Sequence, residues 1–297
     1  MRAGIGMLAW AVLSAACAAV AAEAATADAA TPRTGRRLVW SDEFNAATLD
    51  GAKWKFHQTM NGKDCTYADD SRTARVEGGC LHLLVVPSGD PAKPYMLARG
   101  VSTRDRMAFR YGYLEMRARV PFRHGAWPSF WMNVQPEMQK AEWMSEVDIF
   151  EVFSSTNEVA ANLHKWGPWK KDEKRKHFQL ESVRGVKRTY IFADPSKLND
   201  EFHVYGFEWT PEKMSFYVDG AKFATFPIDE AHDYCPQEGL GMAGHHDFHN
   251  IHINNEIFTP GHGWCPEAMR ITEADKLPIE YWVDWVRLWQ KDGEEIR

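Results

Sequence analysis

The residues best placed to do chemistry are three carboxylates in one short stretch, Glu146-Val-Asp-Ile-Phe-Glu151. Apolar Val147, Ile149, Phe150 and Val152 separate and follow them, which is strand composition rather than loop composition. Side chains on a regular strand alternate between faces, so Glu146 and Asp148 share one face. Glu151 lies five positions from Glu146, an odd offset that puts it on the opposite face. One extra residue, a β-bulge at Ile149 or Phe150, would gather all three. Crowded carboxylates repel, so one keeps its proton and can act as a general acid while another stays ionised and can attack. A solvated acidic strand face or a calcium site are the alternatives for the same stretch.

The elements that must position this strand read as β throughout. Leu81–Val86, Tyr111–Val120, Ser145–Phe153, Phe202–Trp209, Met214–Val218, Ala221–Phe226 and Tyr281–Gln290 are strand candidates set between turn residues. Within Tyr111–Val120, Leu114, Met116, Ala118 and Val120 alternate with Glu115, Arg117 and Arg119. Asp219-Gly220 marks a hairpin turn. The segments 229–235 and 266–276 have room for short helical turns, but no long helical period occurs. Many short strands with regular turns predict an all-β fold, a jelly-roll sandwich of two antiparallel sheets.

Composition narrows the function. A net charge of -6 gives no global support for a nucleic-acid partner. Thirteen Trp, nine Tyr and sixteen Phe exceed what chemistry needs, so most serve the core, and the rest can stack on sugar rings. Arg2 followed by uncharged, Ala-rich sequence to Val20 predicts a signal peptide over 1–22 and a flexible leader over 23–37, so the protein is expected to be secreted, periplasmic or cell-surface bound, without a membrane span. A lipid anchor on Cys17 is disfavoured, because Ser14 stands where a lipoprotein signal has Leu. The remaining Cys65, Cys80, Cys235 and Cys265 allow three pairings; chain order favours Cys65–Cys80 and Cys235–Cys265. Between Lys165 and Arg188, nine Lys or Arg face three acids, which is either a solvated loop or a basic rim for an anionic, sulfated polysaccharide. The run Gly244-His-His-Asp-Phe-His249 with His252 admits a weak transition-metal reading, as no spacing singles out a site.

The E-x-D-x-x-E pattern resembles the active-site strand of glycoside hydrolase family 16 in its bulge-containing branch of laminarinases, agarases, porphyranases and κ-carrageenases. The resemblance extends in order from Leu38-Val-Trp-Ser-Asp-Glu-Phe44 through Phe109–Ala118, Gly125-Ala-Trp-Pro-Ser-Phe-Trp-Met132 and Phe202–Thr210 to Tyr217-Val-Asp-Gly220 and Val283-Asp-Trp-Val-Arg287. It implies a catalytic domain over 38–297 and a retaining endo-β-glycosidase that forms a covalent glycosyl-enzyme. Glu146 matches the nucleophile, Glu151 the acid/base, and Asp148 the residue that orients the nucleophile. Trp127 and Trp131 match cleft aromatics, His164 a histidine near the leaving group, and Trp143 is a further candidate platform. Catalysis in the family uses no cofactor. A structural calcium is implied at Glu43, the backbone of Gly78 and Asp284.

The substrate implied is a polysaccharide of β-1,3-glucan or β-galactan type, handled by a monomer. Laminarinases resemble this chain less at three places. Val101 stands where they carry Arg, with Arg99 or Arg104 nearby as substitutes. The segment Asn61–Tyr67 departs, and Ser145 replaces the Gly before the nucleophile. These departures bring in a galactan, sulfated or mucin-type chains included. A glycan transglycosylase and a non-catalytic carbohydrate-binding jelly roll remain the alternatives.

Overall fold

Strand-period alternation dominates the chain, and the computed structural model folds it into two stacked sheets. Residues 32–57, 64–167, 174, 176–180, 188–234, 236, 239–273 and 275–297 are described. The signal-peptide expectation over 1–22 lies outside them, as do most of 23–37 and Cys235. Gly35–Arg297 forms one unit; residues 32–34 are the described part of a separate N-terminal unit. Among the described residues no helix is long and apolar enough to cross a membrane.

The convex sheet runs β17 (Ala221–Pro227), β16 (Lys213–Val218), β15 (His203–Trp209), β9 (Gly112–Arg119), β19 (Ile279–Gln290), β5 (Cys80–Pro87), β6 (Tyr95–Leu97), β3 (Cys65–Tyr67). In it β1 (Arg37–Asp42) pairs with β19 and β4 (Ala74–Glu77) with β5. The concave sheet runs β13 (Lys176–Gln179), β12 (Glu158–Gly167), β11 (Met144–Glu151), β10 (Ala126–Val134), β18 (His249–Ile257), β7 (Gly100–Ser102), β2 (Lys55–His57). At its margins β14 (Thr189–Ile191) joins β12, β8 (Phe109–Arg110) joins β18, and β20 (Glu295–Ile296) joins β8. Among the described residues β3–β6 is the one parallel pair. This is the expected all-β two-sheet sandwich. Each strand expected from alternation is present within a few residues, and the two short segments hold 3-10 turns at Glu230–His232 and Glu267–Met269.

The core lies between the sheets. Leu114, Met116 and Ala118 of β9 and Phe207 of β15 meet Val147, Ile149 and Phe150 of β11 and Ile251 and Ile253 of β18. The other face of the convex sheet absorbs part of the aromatic excess. There Arg119 sits 3.9 Å from the Trp282 ring centre and Arg287 4.1 Å from that of Trp285. These planes hold guanidinium groups rather than sugars.

The cysteine expectation is corrected here. Cys65 and Cys80 are buried thiols and do not form a disulfide with each other, and Cys265 is in no disulfide either. Cys65 lies opposite Tyr95, and Tyr95 opposite Pro87, at the far end of β5 from Cys80. Seven residues of strand, roughly 23 Å at about 3.3 Å each, separate the two thiols, far beyond disulfide reach. Of the basic stretch, residues 168–173, 175 and 181–187 lie outside the described residues, and its first member, Lys165, belongs to neither a loop nor a rim. Lys165 on β12 points inward, with 1% of its side chain exposed, and forms an ion pair with Asp233. Its ammonium also lies 5.7 Å from the Trp143 ring centre and 5.4 Å from that of Phe178.

That buried pair fastens β12, and hence the neighbour of the carboxylate strand, to the 229–234 segment. Asp233→Ala would strand a buried ammonium. It is expected to destabilise the fold by about 3–5 kcal/mol in urea unfolding, whereas the double change Lys165→Met, Asp233→Ala should recover much of that loss.

Candidate active site

The carboxylate strand is bulged where the odd offset requires it. Against β10, Glu146 faces Asn133, Asp148 faces Trp131, Phe150 faces Phe130 and Glu151 faces Ser129. Ile149 is passed over, so five steps along β11 match four along β10. The register against β12 shifts at the same place, with Glu146 opposite His164 and Glu151 opposite Ala160. Ile149 and Phe150 both turn into the core, 2% and 0% exposed, as a two-against-one bulge demands. Phe150 is held by Phe130 and Tyr205, with ring centres 6.2 and 4.3 Å away. Glu146, Asp148 and Glu151 thereby line one cleft of about 540 Å³ on the concave face, together with Trp127, His164 and Trp166.

Burial is the main force on the two glutamates. It raises the Glu146 pKa to about 8, and the neighbouring Asp148 carboxylate adds to the rise. Burial and then Asp148 raise Glu151 to about 8 as well. His164 opposes the rise at both; Trp166 opposes it at Glu146, and Trp127 and Arg188 at Glu151. Near neutral pH the group therefore retains a proton, the condition for acid and base in one cleft.

The supporting side chains hold this geometry. The Trp127 indole N–H donates to Glu151 Oε1 at 2.8 Å, so this aromatic also aims a carboxyl group. His164 Nε2 lies 2.9 Å from Asp148 Oδ2 and 4.0 Å from Glu146 Oε1. Its Nδ1 is 2.9 Å from His177 Nε2, and the His177 ring lies flat on Trp166 at 3.5 Å. Trp131 lies on the same strand and face as Trp127 but does not line the cavity; it is stacked on His252 at 4.1 Å and donates to Asn254 Oδ1 at 2.8 Å.

Trp143 does not join them. It is 5% exposed, packed on His245 and close to Gly244 and Gly167, so it is an interior side chain and not a platform. The histidine run is likewise not a metal centre. Ser145 bridges His245 Nδ1 at 2.5 Å and His249 Nε2 at 3.1 Å behind the carboxylate strand. Burial lowers the His245 pKa well below its ordinary value and that of His249 to about 4, so both rings are neutral hydrogen-bonding groups. The residues expected to hold calcium do not fit the ion. Glu43 gives its two oxygens to Arg287 at 3.0 and 2.8 Å, and Asp284 is paired with Arg117. Two guanidinium groups supply the positive charge that a cation would bring.

Six cleft residues were not singled out from sequence: Phe153, Asn162, Trp166, His177, Gln179 and Trp264. Trp166 was within reach, since it follows His164 by two on one strand. His177 and Gln179 alternate on β13, but the charged stretch around them masks the period. Trp264 sits in a loop, where no periodic signal exists.

Comparison with known proteins agrees with this geometry. The family model for the GH16 domain of β-porphyranases A–D matches residues 38–291. The chain is 33% identical over 208 residues to a β-glucanase of Rhodothermus marinus, covering 66% of this chain and 67% of that one. It is 26% identical to glucan endo-1,3-β-glucosidase A1 of Niallia circulans, covering 86% of this chain but 38% of that protein's length. Among solved structures, the laminarinase catalytic domain of Thermotoga maritima MSB8 superposes with a TM-score of 0.62 at 25% identity, covering 86% of this chain and 98% of that one.

The raised carboxyl pKa values have a consequence for stability. Glu151 titrates near 4.5 in the unfolded chain and near 8 in the fold, so the folded state holds the proton more tightly. That contribution is complete below about pH 4.5 and is lost as pH rises through 8. Glu151→Gln, which cannot ionise, should match the wild-type unfolding temperature at pH 4.5 and exceed it at pH 9; calorimetry across that range checks the sign.

Proposed function

The chain belongs to glycoside hydrolase family 16, and from that membership we propose that it is a secreted, retaining endo-β-glycosidase that cleaves internal linkages of a polysaccharide. The observation that carries this reading is the bulge, which brings Glu146, Asp148 and Glu151 to one wall of one cleft. With one proton shared between the two glutamates, Glu146 attacks the anomeric carbon in the state in which it is ionised and Glu151 holds the proton. The bond to the leaving sugar breaks, and its oxygen takes the proton of Glu151. Water then gives a proton to the Glu151 carboxylate, its oxygen attacks the anomeric carbon, and Glu146 departs. Asp148, held by His164, sits beside Glu146 and raises its pKa. The raised pKa of Glu151 keeps it protonated for the first step.

The substrate class proposed is a β-galactan, a reading supported by the match to the β-porphyranase domain model. Val101, standing where laminarinases carry Arg, is fully buried and offers a sugar nothing. The similarity to β-glucan-cleaving relatives supports a second reading, a β-1,3-glucan. Reducing-sugar release from porphyran, agarose, carrageenan, keratan-type chains, laminarin and mixed-linkage glucan separates them.

Glu146→Ala is expected to lower kcat on the true substrate by at least about 10³-fold while the folded spectrum is unchanged. Substantial residual turnover would remove Glu146 from the nucleophile role. The wild-type kcat/KM should decline above about pH 8 as Glu151 ionises.

A further inference from the structure

Trp264 is an anomaly in this fold. It is 57% exposed, one of the few large apolar side chains left open among the described residues, yet it is not loose. Trp127, Phe153 and Phe258 form a near-parallel set, with interplanar angles of 14–28°. Trp264 stands across that set, with ring centres 5.2 Å from Trp127, 5.4 Å from Phe258 and 6.2 Å from Phe153, each near a right angle. Its backbone is fastened too. Arg270 donates to the Cys265 carbonyl through Nε at 3.2 Å and Nη2 at 3.0 Å, and to the Pro260 carbonyl through Nη1 at 2.9 Å. One guanidinium thus straps the loop on both sides of the tryptophan.

We propose that Trp264 is the stacking platform of the leaving-group and acceptor sugar, held in place by the Arg270 strap. Its position carries the argument. Trp264 touches Trp127, and Trp127 donates to Glu151, the carboxyl that protonates the leaving oxygen. His164, expected near the leaving group, contacts Asp148 at 2.9 Å rather than Glu151, and with the Trp166–His177 stack it occupies the β12 side of the carboxylates. A sugar over Trp264 lies beside the acid/base, which is where the departing chain leaves and where its replacement arrives. A fixed open ring meets the apolar face of a pyranose without paying for ordering of the ring. Such a platform favours transfer over hydrolysis. The acceptor hydroxyl oxygen attacks the anomeric carbon of the glycosyl–Glu146 ester, its proton passes to the Glu151 carboxylate, and the bond to Glu146 breaks.

The inference rests on the retaining mechanism proposed above. The test uses the full chain with the dinitrophenyl β-glycosides of laminaribiose and galactobiose as donors and the free disaccharides as acceptors. Dinitrophenol release and transfer product are measured together. Trp264→Ala should lower the transfer-to-hydrolysis ratio roughly two- to tenfold at fixed acceptor, and Trp264→Phe should restore most of it. Arg270→Met, which keeps the ring but cuts the strap, should lower the ratio in the same direction. An unchanged ratio in Trp264→Ala overturns the platform while leaving the mechanism intact. So does a loss confined to dinitrophenol release without acceptor, which would place the ring on the donor side. No dinitrophenol release by the wild type from either donor overturns the mechanism and the platform together.

Discussion

Everything in the cleft depends on one irregular hydrogen-bonding step between Asp148 and Glu151. A regular strand would send Glu151 into the space between the sheets, where Phe150, Phe130, Tyr205 and Tyr281 are packed. A carboxyl group there would have no charged partner and would cost several kcal/mol. The bulge exchanges that outcome for two consecutive core residues, Ile149 and Phe150, and one additional cleft carboxyl. Hydrophobic burial of Ile149 and Phe150 is thus what keeps the acid pointing outward. Activity and core packing are tied to the same two residues.

Much of this was legible in the sequence because it follows from parity. An odd spacing between two acids on an alternating strand has only two solutions, opposite faces or an inserted residue, and the register shows the second. β9 was equally readable, since apolar Leu114, Met116 and Ala118 alternate with charged Glu115, Arg117 and Arg119. β18 was not, although all nine of its residues are buried. Its cleft-facing His252, Asn254 and Glu256 are polar, so a central strand resembles a histidine-rich loop. The cysteine pairing failed for a related reason. Neighbours in sequence were placed at opposite ends of a strand by sheet topology, which chain order does not encode.

Charge counting misled wherever burial decided the outcome. Lys165 belongs to a basic run in sequence but to the interior in space, where Asp233 and two aromatic rings receive it. Glu115 alternates like a solvent-facing residue, yet it is fully buried and accepts the Trp289 indole N–H at 2.8 Å. Glu43 and Asp284 look like oxygen ligands until their arginines are seen. In each case the charge is matched by a partner distant in sequence. Spacing within one strand cannot reveal such a partner, whereas it does reveal which face a residue occupies.

The tryptophans divide on the same principle, by what covers each face. Trp209 is sealed in the core, Trp282 and Trp285 carry guanidinium groups on the convex face, and Trp127, Trp166 and Trp264 reach the cleft. In the cleft their edges and faces do different work. The Trp127 edge fixes a carboxyl oxygen through its N–H, so its ring is not free to swing toward a ligand. Trp166 is covered on one face by His177 at 3.5 Å, and that imidazole lies 2.9 Å from His164 Nδ1. That stack links the solvent-exposed His177 to Asp148 through one further ring, and it leaves Trp264 as the open aromatic surface among the three. The cleft therefore presents charged and hydrogen-bonding groups on one side and an apolar plane on the other, with Glu151 between them.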